Sequence, residues 1–215
     1  MYRCVTDETD DHNGPSRLYQ IHSATLESGV LTNSEVLNEL RRLKKERGLR
    51  IGLSLSGVKQ GETLRIAMQV PEVEGSDPDT GRLFDCVQAT WNILEQSAGA
   101  DLLEARKVGI DVIIKESMAN GRLLNGPVGE RVKREADALG CSPDALCIAC
   151  VMAQPFKPLV LSGAATPAQV RSNAAALDLI RKEDSTPHKS FEKLCTDLRM
   201  DPKSYWDERS ALTWN

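Results

Sequence analysis

The feature that most constrains this chain is its rhythm. Five short, apolar or β-branched runs alternate with stretches patterned as helices. The runs are LYQIH (18–22), LRIGLS (49–54), LFDCVQ (83–88), IDVIIK (110–115) and PLVLSG (158–163). After the first run, Thr32 and Glu35 have the spacing of a capping box. Val36, Leu37, Leu40 and Leu43 then fall on one helical face, and Gly48 is a natural stop. Residues 61–70 and 97–109 read as the next two helices, with a loop over 74–81. Two helices follow the fourth run. Val128, Val132, Ala136 and Leu139 line the first, which stops at Gly140, and Ser142-Pro143 opens the second. Thr166-Pro167 opens a last helix, with Val170, Ala174 and Leu177 on one face.

Such alternation predicts an α/β chain whose strands are parallel and covered by helices. Closely apolar short strands suit burial on both faces. About five β-α units satisfy either an open doubly wound sheet or a partial (β/α)8 TIM barrel. No G-x-G-x-x-G follows the first run and no G-x-x-x-x-G-K-[ST] occurs, which counts against the nucleotide-binding doubly wound folds. The expected organisation is a flexible acidic leader at 1–16, the β-α body at 17–180 and a C-terminal extension at 181–215.

Bulk properties exclude several partners. The net charge of −4 leaves no basic footprint for nucleic acid. No apolar run approaches the ~18 residues of a membrane span. Residues 1–13 lack the apolar core of a secretory signal. Six irregularly spaced cysteines point to reduced thiols in the cytoplasm or another reducing compartment. Asp7, Glu8, Asp10, Asp11 and His12 are metal-ligand types, but nothing apolar beside them would fix a site, so a solvated tail is the reading.

The blocks LYQIH, LRIGLSLSG, FDCVQATWNILEQ, GIDVIIKESMANGRL and PLVLSGAATPAQVRSNAAAL, taken in this order, resemble the aldo-keto reductases over about residues 17–180. The resemblance implies strands four to eight of a (β/α)8 barrel and an NADP(H)-dependent carbonyl reductase, with NAD(H) not excluded. It implies a small carbonyl substrate and assigns no metal. His22, closing the first run, matches the catalytic histidine at the barrel mouth, which orients the carbonyl beside a proton-donating tyrosine. Ser54 and Gln88 match residues that grip the nicotinamide carboxamide. Leu55 replaces the asparagine expected after Ser54, and Lys115 stands where an aromatic ring stacks on the nicotinamide. Gly163 matches a glycine that admits the phosphates, and Gln169 and Asn173 match polar holders of the adenosine. Thr166 takes the place of residues that read a 2′-phosphate, but brings no charge.

The family's acid Tyr, with its Lys and Asp helpers, comes before the histidine strand, and residues 1–17 do not encode three β-α units. By strand alternation Leu18, Gln20 and His22 share a face, so Tyr19 points away from His22. The chain is therefore expected to be inactive alone, because general acid help is worth about 10²–10⁴ in rate. Its alternative is a catalytically dead relative that senses cofactor or binds a protein, a reading that Leu55 and Lys115 favour. Two open edges, at LYQIH and PLVLSG, predict self-association. Cys147-x-x-Cys150 reads as buried thiols rather than a zinc or redox site, and Lys115 as an ion-pair partner of Glu116 or another acid rather than a Schiff-base amine. Tyr205, Trp206 and Trp214 either line a substrate pocket or pin the tail.

Overall fold

The computed structural model describes residues 2–3, 17–181 and 186–213. The chain divides into two compact units, Met1–Ala89 with Ala100–Val112, and Thr90–Gly99 with Ile113–Asn215. The acidic leader beyond residues 2–3 and Trp214 lie outside the described residues.

The first unit holds β1 (Tyr2–Arg3), β2 (Leu18–Ala24), β3 (Arg50–Leu55) and the start of β4 (Cys86–Thr90), with α1 (Ser34–Arg47), α2 (Gln60–Met68) and most of α3 (Gly99–Lys107). Strands β2, β3 and β4 pair in parallel in that order. Ile51, Leu53 and Leu55 point from β3 to one face and are fully buried, as are Leu64 and Ala67 of α2. The other face is fixed at Gly52. A Cβ there would lie 3.0 Å from Gln20 Cγ and 3.2 Å from Leu18 Cδ1, so Leu18, Gln20 and Gly52 share that face. Asp85 ties the layers together. Its Oδ2 accepts from the Ile51 amide at 2.8 Å and its Oδ1 from Lys44 Nζ of α1 at 2.9 Å.

Three local expectations are corrected here. Asn33, not Thr32, caps α1, its side chain accepting from the Val36 amide at 3.2 Å, while Thr32 Oγ1 donates to the Gly29 carbonyl. The third strand starts at Cys86 rather than Leu83, because the Leu83 amide is bound by the Val70 carbonyl at the end of α2. The edge at LYQIH is covered in part: β1 pairs antiparallel with β2, Tyr2 opposite Gln20 and Arg3 opposite Tyr19.

The second unit holds the end of β5 (Asp111–Lys115), β6 (Leu159–Val160), and α4 (Gly126–Leu139), α5 (Pro143–Met152), α6 (Pro167–Ala174), α7 (Ala176–Ile180), α8 (Thr186–Leu198) and α9 (Pro202–Ser210). β6 runs parallel to β5, Ile113 opposite Leu159. Its core is helical. Every residue of α5 from Ala145 to Val151 is buried, and α4, α6, α7 and α8 pack around it. Ser142 caps α5 through the Ala145 amide, as its sequence suggests.

The apolar side chains at the start of this region are not the buried ones. Val170 is 54% and Leu177 38% exposed, whereas Asn173, Ala176 and Leu179 are buried. The buried stripe of this region thus includes a polar residue, Asn173, which hydropathy alone does not mark. Nor is α6 the last helix, since α7, α8 and α9 follow.

Strands β2, β3 and β4 pair in parallel, as do β5 and β6, and the strands alternate with helices. The fold is thus α/β, built from parallel β-α units of the partial-barrel kind. No described helix is long and apolar enough to cross a membrane.

Candidate functional site

The second unit brings three of the candidate residues to one cavity. Gly163, Gln169 and Asn173 line a space of about 350 Å³ together with Met118, Leu124 and Asp144, among others. Three elements shape it. The loop after β5 supplies Met118 and Gly121. This loop is strained: Glu116, Ala119 and Asn120 all have left-handed backbones, which side chains with a Cβ seldom adopt. The start of α5 supplies Pro143 and Asp144. The turn into α6 supplies Gly163, Ala164, Gln169 and Asn173.

That turn is locally determined. Thr166 Oγ1 accepts from the Gln169 amide at 3.2 Å, and Gln169 Oε1 accepts from the Thr166 amide at 3.1 Å, a complete capping box. Gln169 Oε1 also accepts from the Ala165 amide at 2.8 Å. Thr166 is exposed and is not among the residues lining the cavity. Its hydroxyl shapes the helix start that carries Gln169. Asn173, 6% exposed, donates through Nδ2 to the Ser162 carbonyl and so holds the strand end against α6. Gly163 has φ +64, and a Cβ built there meets nothing within 4 Å. Its backbone is open to close approach, and the left-handed conformation favours glycine.

The first unit carries His22, Ser54 and Gln88. Ser54 and Gln88 are register partners across β3 and β4. Ser54 is 4% exposed and Gln88 half-buried. His22 lies at the same level of β2, between the pairs Ile21–Leu53 and Ala24–Leu55. These three residues therefore gather towards the C-terminal ends of parallel strands. The register slips between Ile21 and Ala24, so His22 and Ser23 form a bulge. A bulge interrupts alternation, and the face of His22 does not follow from that of Gln20. His22 is exposed and its Nδ1 sits 3.2 Å from Ser23 Oγ. Gln20 points its amide at Cys86 Sγ, 3.9 Å away. Leu55 is fully buried beside Ile51 and Leu53 in the apolar layer.

Lys115 ends β5 and is half-buried, and burial leads the effects that lower its pKa. Glu116 is ion-paired with Arg209, and its charge also acts on Lys115, opposing the effect of burial. Arg209 Nε donates to both Glu116 oxygens at 2.9 Å. Arg209 also stacks over Trp206, and Arg122 over Tyr205 at 4.1 Å from its centroid. Tyr205 is fully buried and its oxygen accepts from Asn92 Nδ2 at 2.9 Å. Asn92 also donates to the Glu116 carbonyl and accepts from the Leu94 and Glu95 amides. Tyr205 and Trp206 thus pin the tail into the core of the second unit. No local motif reveals this, because Asn92 and Tyr205 are 113 residues apart. Cys147 and Cys150 are fully buried in the same core, and burial pushes both thiols up.

No family model and no curated protein matches the sequence. Solved structures do match the fold. They include a thermostable aldo-keto reductase determined with the inhibitor epalrestat, with a TM-score of 0.59 and 20% identity over 82% of this chain and 59% of that one. Aldose reductase from Giardia lamblia gives 0.58 and 18% over 81% of this chain and 55% of that one. An aldo-keto reductase from Bacillus halodurans gives 0.56 and 18% over 82% and 58%. The chain spans 55–59% of the length of these three structures. At such identity the likeness concerns fold, and it agrees with the open run of parallel β-α units. The chain has, in part, the barrel fold of the aldo-keto reductases.

Proposed function

We propose that this chain binds a nicotinamide dinucleotide and belongs to the cofactor side of an oxidoreductase of the aldo-keto reductase type. The observation that carries this reading is the cavity that unites Gly163, Gln169 and Asn173 in the second unit. Residues matched by resemblance to the phosphates and the adenosine line one concave space with mixed apolar and polar walls, which supports this reading.

The lining suits an adenosine. Met118, Leu124 and Pro143 offer apolar surface to a base, and Gln169 and Asn173 offer amides. The open backbone at Gly163 suits a phosphate. Ser54 and Gln88 of the first unit are proposed to hold the carboxamide, with Leu55 adding no hydrogen bond because it is buried in the apolar layer. The cofactor, NADP(H) or NAD(H), supplies a hydride when bound. His22, exposed at a strand end, is proposed to orient a carbonyl oxygen. Proton delivery to that oxygen needs an acid, and Tyr19 is set on the strand beside β1 and β3, opposite Arg3 and Ile51.

The chain by itself is therefore expected to bind cofactor without turnover. The test is carbonyl-dependent oxidation of NADPH and NADH by the purified chain with common aldehydes. The expected rate is indistinguishable from buffer. Family-like turnover that is abolished in His22→Ala would overturn the assignment of an absent acid.

A further inference from the structure

We propose that Asp144 makes the cavity of the second unit a site for an adenosine ribose with a free 2′-hydroxyl, so that the chain takes NAD(H) in preference to NADP(H). The inference rests on the cofactor reading above and deepens it.

The charge of the lining carries the argument. Among the described residues that line the cavity, Asp144 is the sole ionisable one, with no lysine, arginine or histidine beside it. A 2′-phosphate is normally met by cations, with arginine the favoured partner. Here a phosphate on a ribose set beside Asp144 would instead face a carboxylate. Asp144 is also held in its charged form. Burial pulls its pKa upward, but hydrogen bonds from Ser142, Ser172 and the Ala145 amide outweigh that and leave it lowered. Ser172 Oγ lies 2.9 Å from both Asp144 Oδ1 and Ser142 Oγ, which fixes the carboxylate to the start of α5. One oxygen is anchored in this way, and the group retains acceptor capacity for ribose hydroxyls. An acidic side chain accepting from the 2′-hydroxyl is a general solution for unphosphorylated adenine dinucleotides.

Arg171 does not reverse this balance. It lies on α6 but is exposed and does not line the cavity. Thr166, the residue placed for phosphate reading by sequence, is engaged in the capping box.

The experiment is calorimetric titration of the full chain with NADH and with NADPH, repeated for Asp144→Asn. Asparagine preserves the volume and an acceptor for Ser172, and circular dichroism checks its helix content. The chain should bind NADH at least about tenfold more tightly than NADPH, since like charges set together oppose binding strongly. Asp144→Asn should close that gap to within about threefold, chiefly by strengthening NADPH binding. Equal affinities in the parent chain, or a preference unchanged by Asp144→Asn, would overturn the role of Asp144 and leave the cofactor reading standing. Tighter NADPH binding in the parent would do the same. Binding of neither dinucleotide would overturn the cofactor reading and this inference with it.

Discussion

In the first unit the candidate residues stand on strand ends, and in the second they rim a cavity built from three helix and loop segments. His22 occupies a bulge and is exposed, while Ser54 and Gln88 face one another across two strands. Gln169 and Asn173 are placed by a capping box and by a bond to Ser162, on helices whose inner residues are buried. Strand-end residues inherit their position from the sheet. Cavity residues inherit theirs from caps and core packing close at hand. The second arrangement gives a unit that organises the groups lining its cavity by its own contacts.

The largest expected effect that would sharpen this contrast is on the core behind the cavity. Tyr205→Ala removes a fully buried ring, its bond to Asn92 and its contact with Arg122. Loss of a large buried side chain costs about 3–5 kcal/mol. Both described tryptophans, Trp91 and Trp206, lie in the second unit, so urea unfolding followed by tryptophan fluorescence reports on it. The fluorescence midpoint should fall sharply. A midpoint unchanged within error would mean that Tyr205 does not pin the tail to that core.

A smaller effect belongs to the first unit and depends on pH. Asp111 receives a hydrogen bond from Arg50 at 2.6 Å and another from Arg106, and the Arg50 bond leads the effects that lower its pKa below the ordinary 3.8. A carboxylate with a lowered folded pKa contributes stability that is present above its unfolded value and lost as pH falls through the folded one. Asp111 is about half exposed, 47% by side chain, so solvent screening limits the contribution to below about 1 kcal/mol. Asp111→Asn should therefore lower stability slightly at neutral pH, and the difference from the parent should shrink as pH falls below the ordinary 3.8. Far-UV circular dichroism melts from pH 7 to pH 3 would show it. A difference that grows on acidification would refute this sign.

How much of this was legible in the sequence follows the same division. Helix starts and stops depend on neighbours in the chain, so Ser142, Thr166, Gly48 and Gly140 announce the boundaries they make. The parallel β-α order was legible for a similar reason, since hydropathy marks strands buried on both faces. The site was legible only where a resemblance supplied it. Asp144 carries no signal of its own, because its importance comes from Gly163, Gln169 and Asn173 meeting it across other elements. Asn120-Gly121 is a turn signal that would have marked the strained loop beside the cavity. The bulge at His22 was invisible to a count of alternating residues, because register is set by the partner strand. Coverage of the β2 edge by β1 likewise depends on pairing between distant residues. The β6 edge is expected to remain the adhesive one, with Leu159 62% and Leu161 42% exposed, although its two-residue length limits pairing.

The central claim is that the second unit carries an adenosine site of its own making. Its most direct test is titration of the isotope-labelled full chain with ADP-ribose, which lacks the nicotinamide, followed by amide chemical shifts. The account predicts saturable shifts centred on Gly163, Ala164, Gln169, Asn173 and Asp144. Absence of saturable shifts there, or shifts confined to the strands that carry Ser54 and Gln88, would contradict it.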